Sequence, residues 1–565
     1  GSQTSVFMRG SNSDHVLVLI DGIEINDPSS PNGAFDFANL LLDDVEQIEI
    51  VKGAQSVLYG SDAIGGVIQI RTKQGRGKLT VSAKVELGSN QTQREVISLS
   101  GSTDLISYSA QYSGFETDGE SIAAKKRLSA TNGPRDDDGY DNETLSLRFN
   151  LTPSDQFNAT FNAKYSRANV DIDAFLADDL DANNRNDQLF LSAVFRGALL
   201  NGQWQPSLSL SHTDIERKNR DERLLTTENL VATNFDGKKD KLSLQNDFHF
   251  LANNVITLGF DVEKEKMDSE GETRFGGNFG DFIIEQRTRA ERKTKSVYLQ
   301  DQITLRPDIN LTLGLRHDDT DDFDPETTYR ASLNYQLNTT TRLTAAYGTG
   351  FKVPSLFNIA GFTPNNFGTA FSGNPNLKPE TSTDWEISLS NLFWQDKVST
   401  KVSYFKSDID DLIVTVFLPS FDSTPINRDE ANIEGVETSM QIALAEQLDF
   451  ALSHTFTSPK DDNDQLLLRR PKHKASAEIN YNPISALNLN VTLLHIGSWK
   501  DIDGAGSRTD MGSYTTLNLA VNYRLNSHVL LFSRIENIAD KTYEPAFGFQ
   551  ALGANAYVGF ALQYD

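Results

Sequence analysis

The chain has 565 residues, 52 Lys+Arg against 78 Asp+Glu for a net charge of -26, and no cysteine. The acidic balance excludes a nucleic-acid partner, which needs a basic face to neutralise phosphates, and the lack of cysteine excludes disulfides, zinc–thiolate sites, iron–sulfur clusters and thiol nucleophiles together. The longest apolar runs, such as Val16 to Ile20 and Leu412 to Leu418, fall short of the ~18 residues a membrane-spanning helix requires.

The chain opens on Gly1-Ser2-Gln3-Thr4-Ser5 without the basic start and apolar stretch of a signal peptide, as a mature or truncated product would. Residues 1–77 read as a small globular α/β unit. Val16 to Ile20 is a continuous apolar run of the kind buried on both faces, and Asp21-Gly22 and Asp27-Pro28-Ser29-Ser30-Pro31-Asn32-Gly33 carry turn chemistry. A short helix is expected over Leu40 to Val45, then strands over Ile48 to Val51 and Val67 to Ile70.

From residue 78 to 565 the dominant period is two. Phe157, Ala159, Phe161, Ala163 and Tyr165 alternate with Asn158, Thr160, Asn162, Lys164 and Ser166, giving one apolar and one polar face. About 22 such segments can be counted, and strands of roughly 9–11 residues suit a tilted membrane barrel. Tight turns such as 151–155 and 482–485 alternate with long polar stretches at 114–142, 167–187, 213–240 and 264–293. A β-sandwich has no reason for that asymmetry, whereas an outer-membrane barrel does. The expected fold is an all-β membrane protein: a 22-stranded antiparallel transmembrane β-barrel (78–565) whose lumen holds the C-terminal part of a plug (1–77). A barrel of that size needs one to close its lumen.

Several motifs sit in one order along the chain: Val18-Leu19-Ile20-Asp21-Gly22, Val45 to Gly53, Leu58 to Ile68, Phe351-Lys352-Val353-Pro354-Ser355-Leu356, Gly373 to Glu380, Asn432 to Glu437, Arg469 to His473 and Glu536 to Glu544. Together they resemble the TonB-dependent outer-membrane receptors of Gram-negative bacteria. Phe7-Met8-Arg9-Gly10, His15 to Gly22 and Tyr59 to Val67 are most similar to the cobalamin-receptor branch of that family. The resemblance implies energy-coupled import of cobalamin, with a ferric siderophore or other metal chelate as the alternative cargo. It implies the TonB-ExbB-ExbD complex as energy source, with outer-membrane lipid and lipopolysaccharide around the wall and the long loops extracellular. It further implies that a TonB box and the first part of the plug precede Gly1, and that the final residue is aromatic, where this chain has Asp565 after Tyr564. A passive porin and a secreted acidic β-protein are the rivals, disfavoured by the plug motifs and by the loop asymmetry respectively.

The residues support no enzyme. Gly60 to Gly66 is neither a Walker loop nor a dinucleotide fingerprint, the eight histidines are scattered without an HExxH pattern, and no G-x-S-x-G elbow is present. The acidic groups around Asp118, Asp136 to Asp138, Asp171 to Asp173 and Asp178 to Asp181 carry more chemistry, because calcium accepts carboxylates from irregular loops. Here the resemblance implies calcium ligands at Asp118, Asp136, Asp138, Asp173 and Asp181. A second acidic run, Asp318 to Asp324, reads as solvated loop. For substrate, the resemblance points to Thr4 and Ser5 in one apical segment of the plug and to Asn32, Gly33, Ala34 and Phe35 in another. It also implies that Arg9 pairs with acids on the inner barrel wall, with Lys52 and Arg71 nearby in the plug.

Overall fold

A computed structural model describes residues 3–127, 136–173, 178–221, 230–275, 282–364, 370–418 and 422–565. At its centre lies a four-stranded sheet of β1 (Val16–Ile20), β2 (Ile23–Glu24), β3 (Val45–Lys52) and β4 (Gly66–Thr72), in the order β2-β1-β4-β3. Strand β1 is buried along its whole length. Val16, Val18 and Ile20 pack with Met8, Phe35, Ile68 and the wall residues Phe190 and Ile215, while Leu17 and Leu19 pack against Ala63 and Val67 on the other face. Each such side chain contributes roughly 1.5–3 kcal/mol of burial, so the continuous apolar run is what fixes β1 at the middle of the unit. Pairing of β1 with β4 is parallel, Val16 facing Gly66, and Gly66 holds φ at +142° where an added Cβ would meet the Val51 carbonyl oxygen at 2.3 Å.

The helix expected over Leu40 to Val45 does not form. A single 3-10 turn at Phe37–Asn39 is capped by Asp36, which accepts from the Ala38 amide, and Val45 already starts β3. The wall draws the intervening acids out of helical register: Asp43 bonds Arg94 at 2.6 Å and Asp44 bonds Lys164 at 2.7 Å.

Around this unit runs a closed antiparallel barrel of 22 strands. Its first strand, Thr80–Gly88, pairs with its last, Asn555–Tyr564. The two-residue period sorts the faces: on the strand Phe157–Asp171, Phe157, Phe161 and Tyr165 are exposed outward, while Thr160, Lys164 and Ser166 are buried toward the lumen. Leu242, Leu258, Leu299, Leu315 and Ile387 continue the outward apolar belt on other strands.

Strand lengths depart from the expected 9–11 residues. Leu230–Leu251 and Asn254–Phe275 have 22 each and Phe282–Arg306 has 25. Much of the polar sequence at 213–240 and 264–293 is therefore hairpin rather than loop; residues 222–229 and 276–281 lie outside the described residues. Beyond the apolar belt both faces of a strand can be charged, and cross-strand pairs such as Lys264 to Glu291 at 2.9 Å and Arg287 to Asp268 at 2.7 Å hold the extension together. Connections rather than strands run through the described residues 118–127, 136–139, 172–173 and 178–182; residues 128–135 and 174–177 lie outside the described residues. The barrel thus has a turn end and a loop end.

Candidate functional site at the plug apex and its wall

The turn that follows β2 is built by side-chain hydrogen bonds. Asn26 accepts from the Val18 amide at 2.9 Å and donates to the Val16 and Gly33 carbonyls at 3.2 Å each, pinning the turn to β1. Asp27 accepts from the Ser29 amide and hydroxyl and also from Arg217 on the wall at 2.7 Å. Ser355 donates to the Pro31 carbonyl at 2.9 Å from a long connection at the loop end. The turn therefore lies at the loop end of the lumen, with Pro31 exposed and Asn32 half-buried at its tip.

Thr4 and Ser5 are exposed beside it. Asp36 accepts from the Thr4 amide at 2.9 Å, and the Phe37 amide donates to the Thr4 carbonyl at 3.1 Å, so the two apical segments form one surface. Asp36 is absent from the residues expected from sequence, although an Asp before a short turn is a recognisable capping signal. Gly33, Ala34 and Phe35 are buried, and the Phe35 ring packs edge-on against Phe37 at 5.1 Å inside the core of the unit. Their contribution is to shape the turn, whereas Thr4, Ser5 and Asn32 are presented.

Between this apex and the wall lies a narrow cleft, bordered by Asn26, Gly33, Asp62, Arg292, Lys352 and Ser355 among others. Asp62, whose φ is +71°, accepts from Lys352 at 2.8 Å. Burial raises the cost of its charge, but Lys352 and Lys239 outweigh that and hold its carboxyl below the usual range. The Gly60 to Gly66 stretch is thus a tight turn that delivers Asp62 to the wall. Asp318 borders this same cleft. It is 2% exposed and bonds Arg316 and Ser296, so its reading as solvated loop is corrected.

Arg9 donates to Glu386 at 2.8 Å and to Glu437 at 2.8 and 3.2 Å, and lies 4.3 Å from the centre of the Phe405 ring. Lys52 adds a 2.6 Å bond to Glu437, while Arg71 pairs within the plug with Glu49. His15 is fully buried with its Nε2 3.0 Å from Glu380 of the wall. Burial opposes a charged ring, yet the fields of Glu380 and Asp14 exceed it and raise the imidazole above its ordinary value.

At the loop end, Asp136, Asp173 and Asp178 each offer an oxygen within 4.8 Å of the others. Asp138 stands beside Asp173, and burial with these neighbouring charges pushes its carboxyl up to about 8, although the Ile122 amide opposes the shift. Asp136 Oδ1 and Asp138 Oδ1 are buried without a hydrogen-bond partner. Converging carboxylates with unmet oxygens suit a hard cation. Of the expected ligands, Asp136 and Asp173 converge and Asp138 adjoins them. Asp181 is linked through its amide to Asp179, and Asp118 is exposed and bonded to Gln91. Asp178, missed as a ligand although it lies in an acidic run, completes the cluster.

Other connections interlock above the lumen. Lys126 and Arg127 bond Glu544, Asp501 accepts from the Phe547 amide and from Arg469, and Arg470 reaches down to Asn12 and the Gly10 carbonyl of the plug.

Comparison with known proteins follows the same division. A family model described as TonB dependent receptor-like, beta-barrel, matches residues 83–538, and the TonB-dependent receptor plug domain matches residues 1–67. The vitamin B12 transporter BtuB of Photobacterium profundum is 28% identical over 549 residues, 96% of this chain and 83% of that protein. BtuB of Vibrio vulnificus is 27% identical over 565 residues, 99% of this chain and 84% of that one. Among solved structures, the siderophore receptor PirA from Acinetobacter baumannii superposes with a TM-score of 0.80 at 18% identity, covering 98% of this chain and 91% of its own. The ferric yersiniabactin uptake receptor FyuA from Yersinia pestis gives 0.80 at 16%, covering 100% and 92%. At that identity the two structures share the fold alone.

Proposed function

The chain belongs to the TonB-dependent outer-membrane receptors, and from that premise we propose that it imports cobalamin, with energy supplied by the TonB-ExbB-ExbD complex. The observation that carries the choice of cargo is the match to two vitamin B12 transporters along nearly the whole chain. In this reading residues 1–77 act as the plug and 78–565 as the conduit. The loop end faces the outside of the cell, and the apolar belt meets lipid and lipopolysaccharide. Thr4, Ser5 and Asn32 receive the ligand with many modest hydrogen bonds, as a large amide-rich molecule requires. Gly33, Ala34 and Phe35 set the turn that presents Asn32.

Calcium at Asp136, Asp173 and Asp178, with Asp138 alongside, orders the loops spanning 118–182 beside that apex. What supports it is the convergence of Asp136, Asp173 and Asp178 together with the unmet buried Oδ1 atoms of Asp136 and Asp138. The protein's own groups do the rest: Arg9, Lys52 and His15 hold the plug to Glu437, Glu386 and Glu380 through ion pairs, which are better suited to a switchable contact than to stability.

Equilibrium titration of the detergent-purified chain with cyanocobalamin, with calcium and then with a chelator, tests both parts. Saturable binding that weakens on chelation is expected. Binding of a ferric siderophore in place of cyanocobalamin would transfer the reading to a metal chelate, and binding of neither would refute the import of either cargo.

A further inference from the structure

The cleft beside the apex contains a basic group whose hydrogen-bonding edge meets nothing among the described residues. Arg292 is 2% exposed, and its Nε and Nη2 are buried with no hydrogen-bond partner. Its ion pair is a long one, 3.8 Å from Nη1 to Glu265. Glu265 is itself committed to Lys239 at 3.0 Å. The other basic side chains of the cleft each have a carboxylate at hydrogen-bond distance: Lys239 and Lys241 with Glu24, Arg316 with Asp261, Lys352 with Asp62.

Nε and Nη2 lie on the same edge of a guanidinium, and together they form the fork that takes two oxygens of one oxyanion. Phe323 faces the guanidinium at 5.2 Å and limits where that edge can swing. A buried, unmet pair of charged donors is costly, so the arrangement calls for an acceptor that the described residues do not supply. We propose that Arg292 is an oxyanion subsite of the substrate cleft, receiving a phosphate, carboxylate or catecholate edge of the cargo as it settles against the Asn26–Gly33 turn. The proposal rests on the import reading for the identity of its ligand. A phosphodiester, as cobalamin carries, and the catecholate oxygens of an iron chelate offer the same chemistry to the fork.

The test uses the purified full chain, with folding of each variant checked by heat-modifiable migration. Inorganic phosphate is titrated against thermal unfolding at constant ionic strength set with chloride, for wild type, Arg292→Met and Arg292→Lys. Phosphate is expected to raise the unfolding temperature of wild type alone. Cyanocobalamin and ferric enterobactin are titrated in parallel. Whichever binds wild type should bind Arg292→Met about tenfold to a hundredfold more weakly, with Arg292→Lys recovering little because a point charge lacks the fork. A phosphate effect that survives in Arg292→Met, or nutrient affinity unchanged in it, overturns the subsite. Failure of wild type to bind either nutrient refutes the transport reading, while the phosphate arm still decides the fork.

Discussion

Changing Glu437→Gln leaves a side chain of the same shape and removes the charge that Arg9 and Lys52 share. Arg9 reaches Glu437 through bonds of 2.8 and 3.2 Å and Lys52 through one of 2.6 Å. A hydrogen bond to a charged group is worth roughly 1 kcal/mol more than a neutral one. Three are affected, but Lys52 is 41% exposed and its share is discounted for solvent screening. The net weakening of the plug–wall contact is about 2 kcal/mol, or about thirtyfold in the population of the separated state, since ~1.4 kcal/mol is a factor of ten. Glu386 still holds Arg9 Nη1 at 2.8 Å, so the plug should remain inserted. Hydrogen exchange resolved by peptide is the assay: amides of Met8 to Gly10 and Lys52 to Ala54 should open about thirtyfold faster, with the wall strands unchanged. Added salt should shrink the difference. Equal exchange in wild type and variant, or acceleration spread evenly over the barrel, would refute the view that these pairs form a separable latch.

Other perturbations follow from the same geometry. His15 has a folded-state value above its unfolded one, so the stability it lends is complete below about pH 6.5 and is lost as pH rises through the folded value; Glu380→Gln should flatten that dependence in a pH series of thermal unfolding, with Asp14 and Lys352 the remaining charged neighbours. Asp136→Asn with Asp173→Asn should remove any calcium-dependent protection of 118–182 from protease, and protection unaltered by chelation in wild type would sink the metal site. Gly66→Ala should destabilise the plug by several kcal/mol, read as loss of its unfolding transition, because φ of +142° and the 2.3 Å approach to the Val51 oxygen both oppose a Cβ. Glu544→Ala should loosen the connections at 118–127 and 544–550 together, measured as faster exchange in both, since Lys126 and Arg127 lose their shared acceptor.

The barrel was legible because alternation is a direct imprint of a wall with lipid on one side and a polar lumen on the other, and Phe157 to Ser166 shows it without any partner strand in view. What lies beyond the apolar belt was not, because there both faces are wet and Asp214, Lys238, Lys264 and Glu291 look like loop until cross-strand pairing is seen. Leu40 to Val45 misled for a related reason: Asp43 and Asp44 answer to Arg94 and Lys164, which are remote in sequence. The same holds at the site. Asn26 and Asp27 announce a turn by their own chemistry, whereas nothing local to Arg292 or Asp318 says that one is unmet and the other buried, because both environments are made by strands brought alongside by the ring.

That ring is sewn at one seam, where Val81 faces Tyr564 and Gly88 faces Tyr557. The two halves of this contact are separated by nearly the whole length of the chain, so its hydrogen bonds are those of greatest contact order in the ring. During synthesis the polypeptide carries two unsatisfied strand edges until its final strand is made, and each edge is a template for pairing with another chain. The plug is encoded ahead of all 22 strands, and the closed ring surrounds it. The seam therefore leaves a long interval in which the unfinished wall must be kept from joining its neighbours.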